Sequence, residues 1–144
     1  MTTNYQEALE KGWAVPVAKD TFSFDSDGQA HLLASKCGHC GTTIFPSVAR
    51  CPGCFKANMQ ATPLATEGEL HSFTTVRQGP PEWKGEVPYI IASITTADGV
   101  EVMTQLSCPP EDAKLGMNVT LQISPLYKDD EDREVLGPVF VPAN

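Results

Sequence analysis

The sequence predicts a mainly β protein built from an N-terminal helix, a metal-bound ribbon and a closed five-stranded barrel of the OB-fold kind. Three observations carry that expectation. Two C-x-x-C pairs, Cys37/Cys40 and Cys51/Cys54, stand ten residues apart. From Leu70 onward, five short runs rich in Val, Ile, Thr and aromatic residues alternate with turn residues. Ahead of both, residues 4–11 read NYQEALEK, a short helical pattern closed by Gly12.

The helix has Asn4 as N-cap and is expected to dock through Tyr5, Leu9 and Trp13. Phe22-Ser23-Phe24 and His31-Leu32-Leu33-Ala34 flank Asp25-Ser26-Asp27-Gly28, a hairpin whose Asp-Gly tolerates positive φ. The barrel strands are expected at LHSFTTVRQ, PYIIASITT, VEVMTQLS, NVTLQIS and VLGPVFV. Asp98-Gly99 turns the second into the third, and PPEDAKLG leads into the fourth. The chain divides into helix and hairpin over 1–34, ribbon over 35–60 and barrel over 61–144, with 57–67 as the joint. The acidic run Asp129–Asp132 before Arg133 is a solvated cap on the last hairpin.

The chain has 144 residues, enough for one compact unit or two very small ones. At 41% hydrophobic and 19% charged it can bury a core. A net charge of −8 opposes binding to nucleic acid, where Lys and Arg must neutralise phosphates. The first residues lack the pattern of a signal peptide and no apolar run is long enough to span a bilayer, so a cytoplasmic protein with no membrane partner is expected. Five cysteines in such a chain favour reduced thiols over disulfides.

Each C-x-x-C forms a knuckle that offers two sulfurs to one metal, with Gly38, Gly41 and Gly53 supplying backbone freedom. The four thiolates Cys37, Cys40, Cys51 and Cys54 fill a tetrahedral shell, so the ion is structural and has no open position for substrate. Zinc is the expected occupant, with rubredoxin-like iron as the competitor. His39 lies within the first knuckle and is expected to be exposed, since the shell is already complete. His31 and His71 read as histidines with satisfied hydrogen bonds. Cys108 would be a nucleophile only beside a basic partner; without one it is a structural thiol. No catalytic set is read from the sequence.

In the order of its motifs the chain resembles the rubredoxin-like zinc-ribbon/OB-fold proteins of the domain of unknown function 35. The resemblance covers nearly the whole length: the helix, the knuckles, Ile44-Phe45-Pro46 between them and Gly68-Glu69-Leu70-His71-Ser72-Phe73-Thr74. It continues through Pro88-Tyr89, Asp98-Gly99, Leu115-Gly116-Met117 and Pro138-Val139-Phe140. It implies a non-catalytic subunit working in a hetero-oligomer with a thiolase-like enzyme, of the benzoylsuccinyl-CoA thiolase type or in steroid side-chain β-oxidation. A hydratase or lyase is the alternative partner it allows, and a free nucleic-acid-binding module is a separate alternative.

The resemblance further implies a share in holding CoA or an acyl-CoA. Arg50, Lys56, Arg77 and Lys84 are the cations that could meet its phosphates, each with a solvated surface charge as the plainer reading. Phe45, Pro46 and Tyr89 could line the pantetheine arm or could seal ribbon against barrel. Trp83, in the loop between the first two barrel strands, could anchor a partner or fold back over the barrel end.

Overall fold

The computed structural model describes residues 5–143; the expected cap Asn4 lies outside them. Helix α1 (Tyr5–Glu10) ends in a Schellman turn. The Trp13 N–H donates to the Ala8 carbonyl at 2.9 Å and the Gly12 N–H to Leu9 at 3.3 Å, with Gly12 at φ 76°. Tyr5, Ala8 and Leu9 pack onto a small cluster around Ala14, Ala30, Ile123 and Leu136. Trp13 does not join them: its side chain is 63% exposed, with the Lys11 ammonium 4.7 Å from the ring. Ala14 takes the buried position in strand β1 (Ala14–Pro16), and alternation along a strand turns its neighbour outward.

Strands β2 (Phe22–Phe24) and β3 (Ala30–Cys37) form the expected hairpin. The Asp25 carboxylate holds its turn by accepting the N–H groups of Asp27 and Gln29 at 2.9 and 3.0 Å. Strand β3 is the centre of the second sheet, paired with β2, with β4 (Thr43–Ile44) and with β5 (Met59–Pro63). Strand β5 occupies the segment expected as a joint. It lies at the sheet edge, exposed or half-buried throughout, so it shows none of the apolar alternation that marks a strand in sequence.

The barrel consists of β6 (Glu67–Val76), β7 (Tyr89–Thr96), β8 (Glu101–Leu106), β9 (Asn118–Lys128) and β10 (Glu134–Pro142). Strands β6, β7 and β8 pair antiparallel, β10 runs parallel to β8 and antiparallel to β9, and β9 returns to β6, closing the ring. That order is the five-stranded Greek-key barrel of an OB-fold. Strand β1 adds to it outside the ring, parallel to the start of β10. Leu70, Ile94, Val102, Val119 and Phe140 fill the interior together with Leu32, Ala34 and Leu64 from the ribbon side, so both parts share one core. The acidic run forms the solvated β9–β10 turn. Asp129 accepts the Glu131 and Arg133 amides, and the Arg133 guanidinium pairs with Asp129 at 3.0 Å and Glu131 at 3.1 Å. Among the described residues no helix is long and apolar enough to cross a membrane.

Candidate metal centre and barrel rim

The four knuckle sulfurs lie within 4.8 Å of one another. Cys37 Sγ to Cys54 Sγ is 3.7 Å and Cys40 Sγ to Cys51 Sγ is 3.5 Å. Ligands at a zinc–sulfur distance of about 2.3 Å on a tetrahedron are about 3.8 Å apart, so the cluster is already spaced for one ion. None of the four forms a disulfide. The backbone supplies the second layer that thiolates need: Cys37 Sγ accepts the N–H groups of His39 and Cys40 at 3.4 Å, and Cys51 Sγ accepts that of Gly53 at 3.3 Å.

The two knuckles are nearly superimposable in their hydrogen bonds. In the first, Gly41 N–H donates to Cys37 O at 3.0 Å and Cys37 N–H to Thr42 O at 2.8 Å. In the second, Phe55 N–H donates to Cys51 O at 2.9 Å and Cys51 N–H to Lys56 O at 3.0 Å. The residue after the second cysteine is left-handed in both, φ 80° at Gly41 and 65° at Phe55.

The amide of Cys40 leads the interactions that lower the Cys37 thiol, and the hydroxyl and amide of Thr42 bring Cys40 down to about 6. Cys54 is pushed up to about 11: the Lys56 amide favours its thiolate, but burial and the three neighbouring sulfurs outweigh it. The site thus favours the thiolate at Cys37 and Cys40 and opposes it at Cys54, where the neighbouring sulfurs crowd negative charge that a cation would relieve. His39 is exposed beside this shell, as expected.

The other singled-out residues fall in two places. Phe45 packs against the barrel core, Pro46 is exposed beside it, and Arg50 donates to the Phe55 carbonyl at 2.7 Å, bracing the second knuckle; Lys56 is exposed at the same tip. On the barrel rim, Trp83 folds back against Tyr89 and Tyr127, with ring centroids 5.0 and 5.6 Å away, and its indole N–H donates to Glu86 O at 3.2 Å. Its ring lies so close to Gly79 and Gly85 that a Cβ at either would stand 2.6 or 2.2 Å from it. Lys84 pairs with Asp130 at 2.7 Å, so the β6–β7 and β9–β10 loops are tied together; Arg77 is exposed on the same loop. A groove of about 470 Å³ runs from Trp83 and Tyr89 to Cys108 and Leu126, separate from the ribbon candidates. Burial, then the Asp112 and Glu111 charges, raise the Cys108 thiol, the opposite of activation.

His31 and His71 both have partners. His31 Nδ1 meets Leu64 O and Nε2 meets Asp25, both at 2.8 Å; the Leu64 carbonyl first and the Asp25 carboxylate second raise its pKa. A register shift between Leu70 and Ser72 leaves His71 exposed, 2.7 Å from Glu101. Glu101 also accepts the hydroxyls of Ser93 and Thr95, and Ser93, His71 and Thr95 in that order hold it at about 2. The sequence offered no sign of this carboxylate cluster, because its members come from three strands.

A four-thiolate ribbon set on a closed OB barrel defines the class: a zinc-ribbon/OB-fold protein. Residues 27–60 match the family described as "ChsH2, rubredoxin-like zinc ribbon domain" and residues 61–124 match "ChsH2, C-terminal OB-fold domain". The chain belongs to the DUF35 family of zinc-ribbon/OB-fold scaffold proteins. It is 31% identical to a "DUF35 domain-containing scaffold protein" of Methanocaldococcus jannaschii over 103 residues, 70% of this chain and 73% of that relative. It is 27% identical to "Benzoylsuccinyl-CoA thiolase subunit BbsA" of Thauera aromatica over 114 residues, covering 78% of this chain and 77% of BbsA. Among solved structures it resembles a chain of the "Ltp2-ChsH2(DUF35) aldolase", with a TM-score of 0.64 and 27% identity over 79% of this chain and 86% of the other.

Proposed function

We propose that this chain is a zinc-binding, non-catalytic subunit of a thiolase-like, acyl-CoA-processing complex, and that it supports assembly of the catalytic subunit. The observation that carries the reading is the likeness, along both ribbon and barrel, to a subunit named for a benzoylsuccinyl-CoA thiolase. The site chemistry agrees with it. Zinc held by Cys37, Cys40, Cys51 and Cys54 has no position left for substrate, so its work is to fold the ribbon. The partner then supplies the nucleophile and the acid/base groups.

A lyase partner is the second reading, favoured by the structural likeness to a chain of an aldolase complex. In either complex, Arg77 on the rim loop is the cation best suited to a CoA phosphate. Lys84 is occupied by Asp130, and Arg50 and Lys56 lie at the ribbon tip, outside the lining of the groove. Tyr89, beside the groove, is the aromatic residue placed to meet the pantetheine arm. A nucleic-acid role is disfavoured by the net charge of −8 and by the ion pair that bridges the two rim loops.

Native purification of the tagged chain from its own cells tests the proposal. A thiolase-fold subunit at a fixed stoichiometry, with thiolytic activity on an acyl-CoA, is the expected result. An aldolase-type subunit would select the second reading. A chain isolated alone, with no catalytic subunit that gains activity or solubility from it, would refute both.

A further inference from the structure

The two knuckles act as an internal control. They share the same pair of backbone hydrogen bonds and the same left-handed residue after the second cysteine, yet the first uses glycine there and the second phenylalanine. Left-handed φ is comfortable for Gly41 and strained for a bulky aromatic such as Phe55. Packing offers Phe55 no compensation, since its side chain is 71% exposed. The sequence therefore keeps, at one position, both backbone strain and an apolar ring in water where glycine serves the twin site. Strain retained without an internal reason points to a use outside the chain.

The charge around Phe55 indicates what that use is. No Asp or Glu occurs from residue 28 to residue 66, so all 18 carboxylates of the chain lie elsewhere, whereas Lys36, Arg50 and Lys56 lie within this stretch. Four thiolates around a divalent ion retain roughly two negative charges at the centre. The surface cations stand outside that centre, and Lys56 follows Phe55 directly. The Arg50 guanidinium donates to the Phe55 carbonyl at 2.7 Å. The tip is thus an aromatic side chain on a metal-braced turn, flanked by two cations, on a protein that is otherwise strongly acidic.

We infer that the tip of the second knuckle is a docking surface for the catalytic subunit, with Phe55 entering an apolar pocket whose rim carries Asp or Glu side chains that meet Lys56 and Arg50. The inference rests on the proposed function, since it assigns the surface through which that subunit is held. A rigid aromatic side chain suits an anchor that fills a desolvated pocket, because little side-chain freedom is lost on binding.

The test uses the zinc-loaded full chain and the catalytic subunit recovered with it. Phe55→Gly copies the first knuckle, so zinc at one per chain and an equal or higher melting temperature are expected, with affinity for the catalytic subunit falling at least tenfold. Lys56→Glu should slow association severalfold and flatten its dependence on salt. Wild-type affinity in both variants would overturn the inference and leave the proposed function standing, as would loss of binding on Trp83→Ala alone. Failure of the wild-type chain to bind any thiolase-type or aldolase-type subunit would overturn both together.

Discussion

Ribbon and barrel are held by different physics. The barrel buries Leu70, Ile94, Val102, Val119 and Phe140 almost completely inside a ring of five strands, so its stability scales with apolar area removed from water. The ribbon beyond Cys37 has Cys51 as its one fully buried side chain through residue 60, and its strand β4 is two residues long. So small a core does not pin a hairpin, and the four sulfurs must do so through a metal. One chain thus places a stiff tip on a barrel without giving the tip a core of its own.

The sharpest way to break the contrast is to remove a ligand. Cys37→Ser should abolish stoichiometric zinc and unfold residues 38–58, because structural zinc supplies about 10 kcal/mol or more of folding free energy in ribbons of this size. Elemental analysis and amide exchange would show it, with the amides of β7 and β8 still protected. Retained zinc with native exchange across 38–58 would contradict the account.

Phe140→Ala attacks the other side. The ring is fully buried, so truncation should cost about 3–5 kcal/mol in urea unfolding while native protein keeps one zinc per chain. Loss of zinc before the barrel unfolds would show that the parts depend on each other more than their contents suggest.

A smaller effect sits at the seam, where His31 joins the β2–β3 turn to the Leu64 carbonyl. Its folded pKa is raised, so its contribution is full below the ordinary histidine value of about 6.5 and is lost as pH rises through the folded value. Urea midpoints measured upward from pH 6 should fall in the wild type and fall less in His31→Gln. Equal slopes would remove His31 from the seam. The smallest effect belongs to Lys84→Ala, whose ion pair with Asp130 is exposed; an unchanged urea midpoint is expected in the same assay.

Much of this was legible in the sequence because the strongest signals are local. C-x-x-C spacing fixes a knuckle within four residues, and Asp98-Gly99 makes its turn where expected, with Gly99 at φ 83°. Barrel strands with one buried face announced themselves by alternation, as in β7, where every second residue from Ile90 is buried. What escaped is non-local or unpatterned. Strand β1 is three residues long and exists because β10, more than a hundred residues later, offers it an edge. Strand β5 is exposed or half-buried along its length, and the Glu101 cluster is assembled by register across three strands. Trp13, expected to dock with the helix, stays exposed because it follows the left-handed Gly12, where the chain turns off the helix.

One consequence follows from strand β3. Leu32 and Ala34 lie in the shared core and Cys37, three residues further on, is one of the four clustered cysteines, so a single extended strand runs from the barrel interior to the sulfur cluster. Such a strand is a beam with no hinge in it. The tip therefore does not swivel like a finger on a tether, and its angle is set by the barrel. A catalytic subunit that grips the tip is thereby presented with the rim groove at one fixed bearing, as a ruler clamped at one end fixes where its far marks fall.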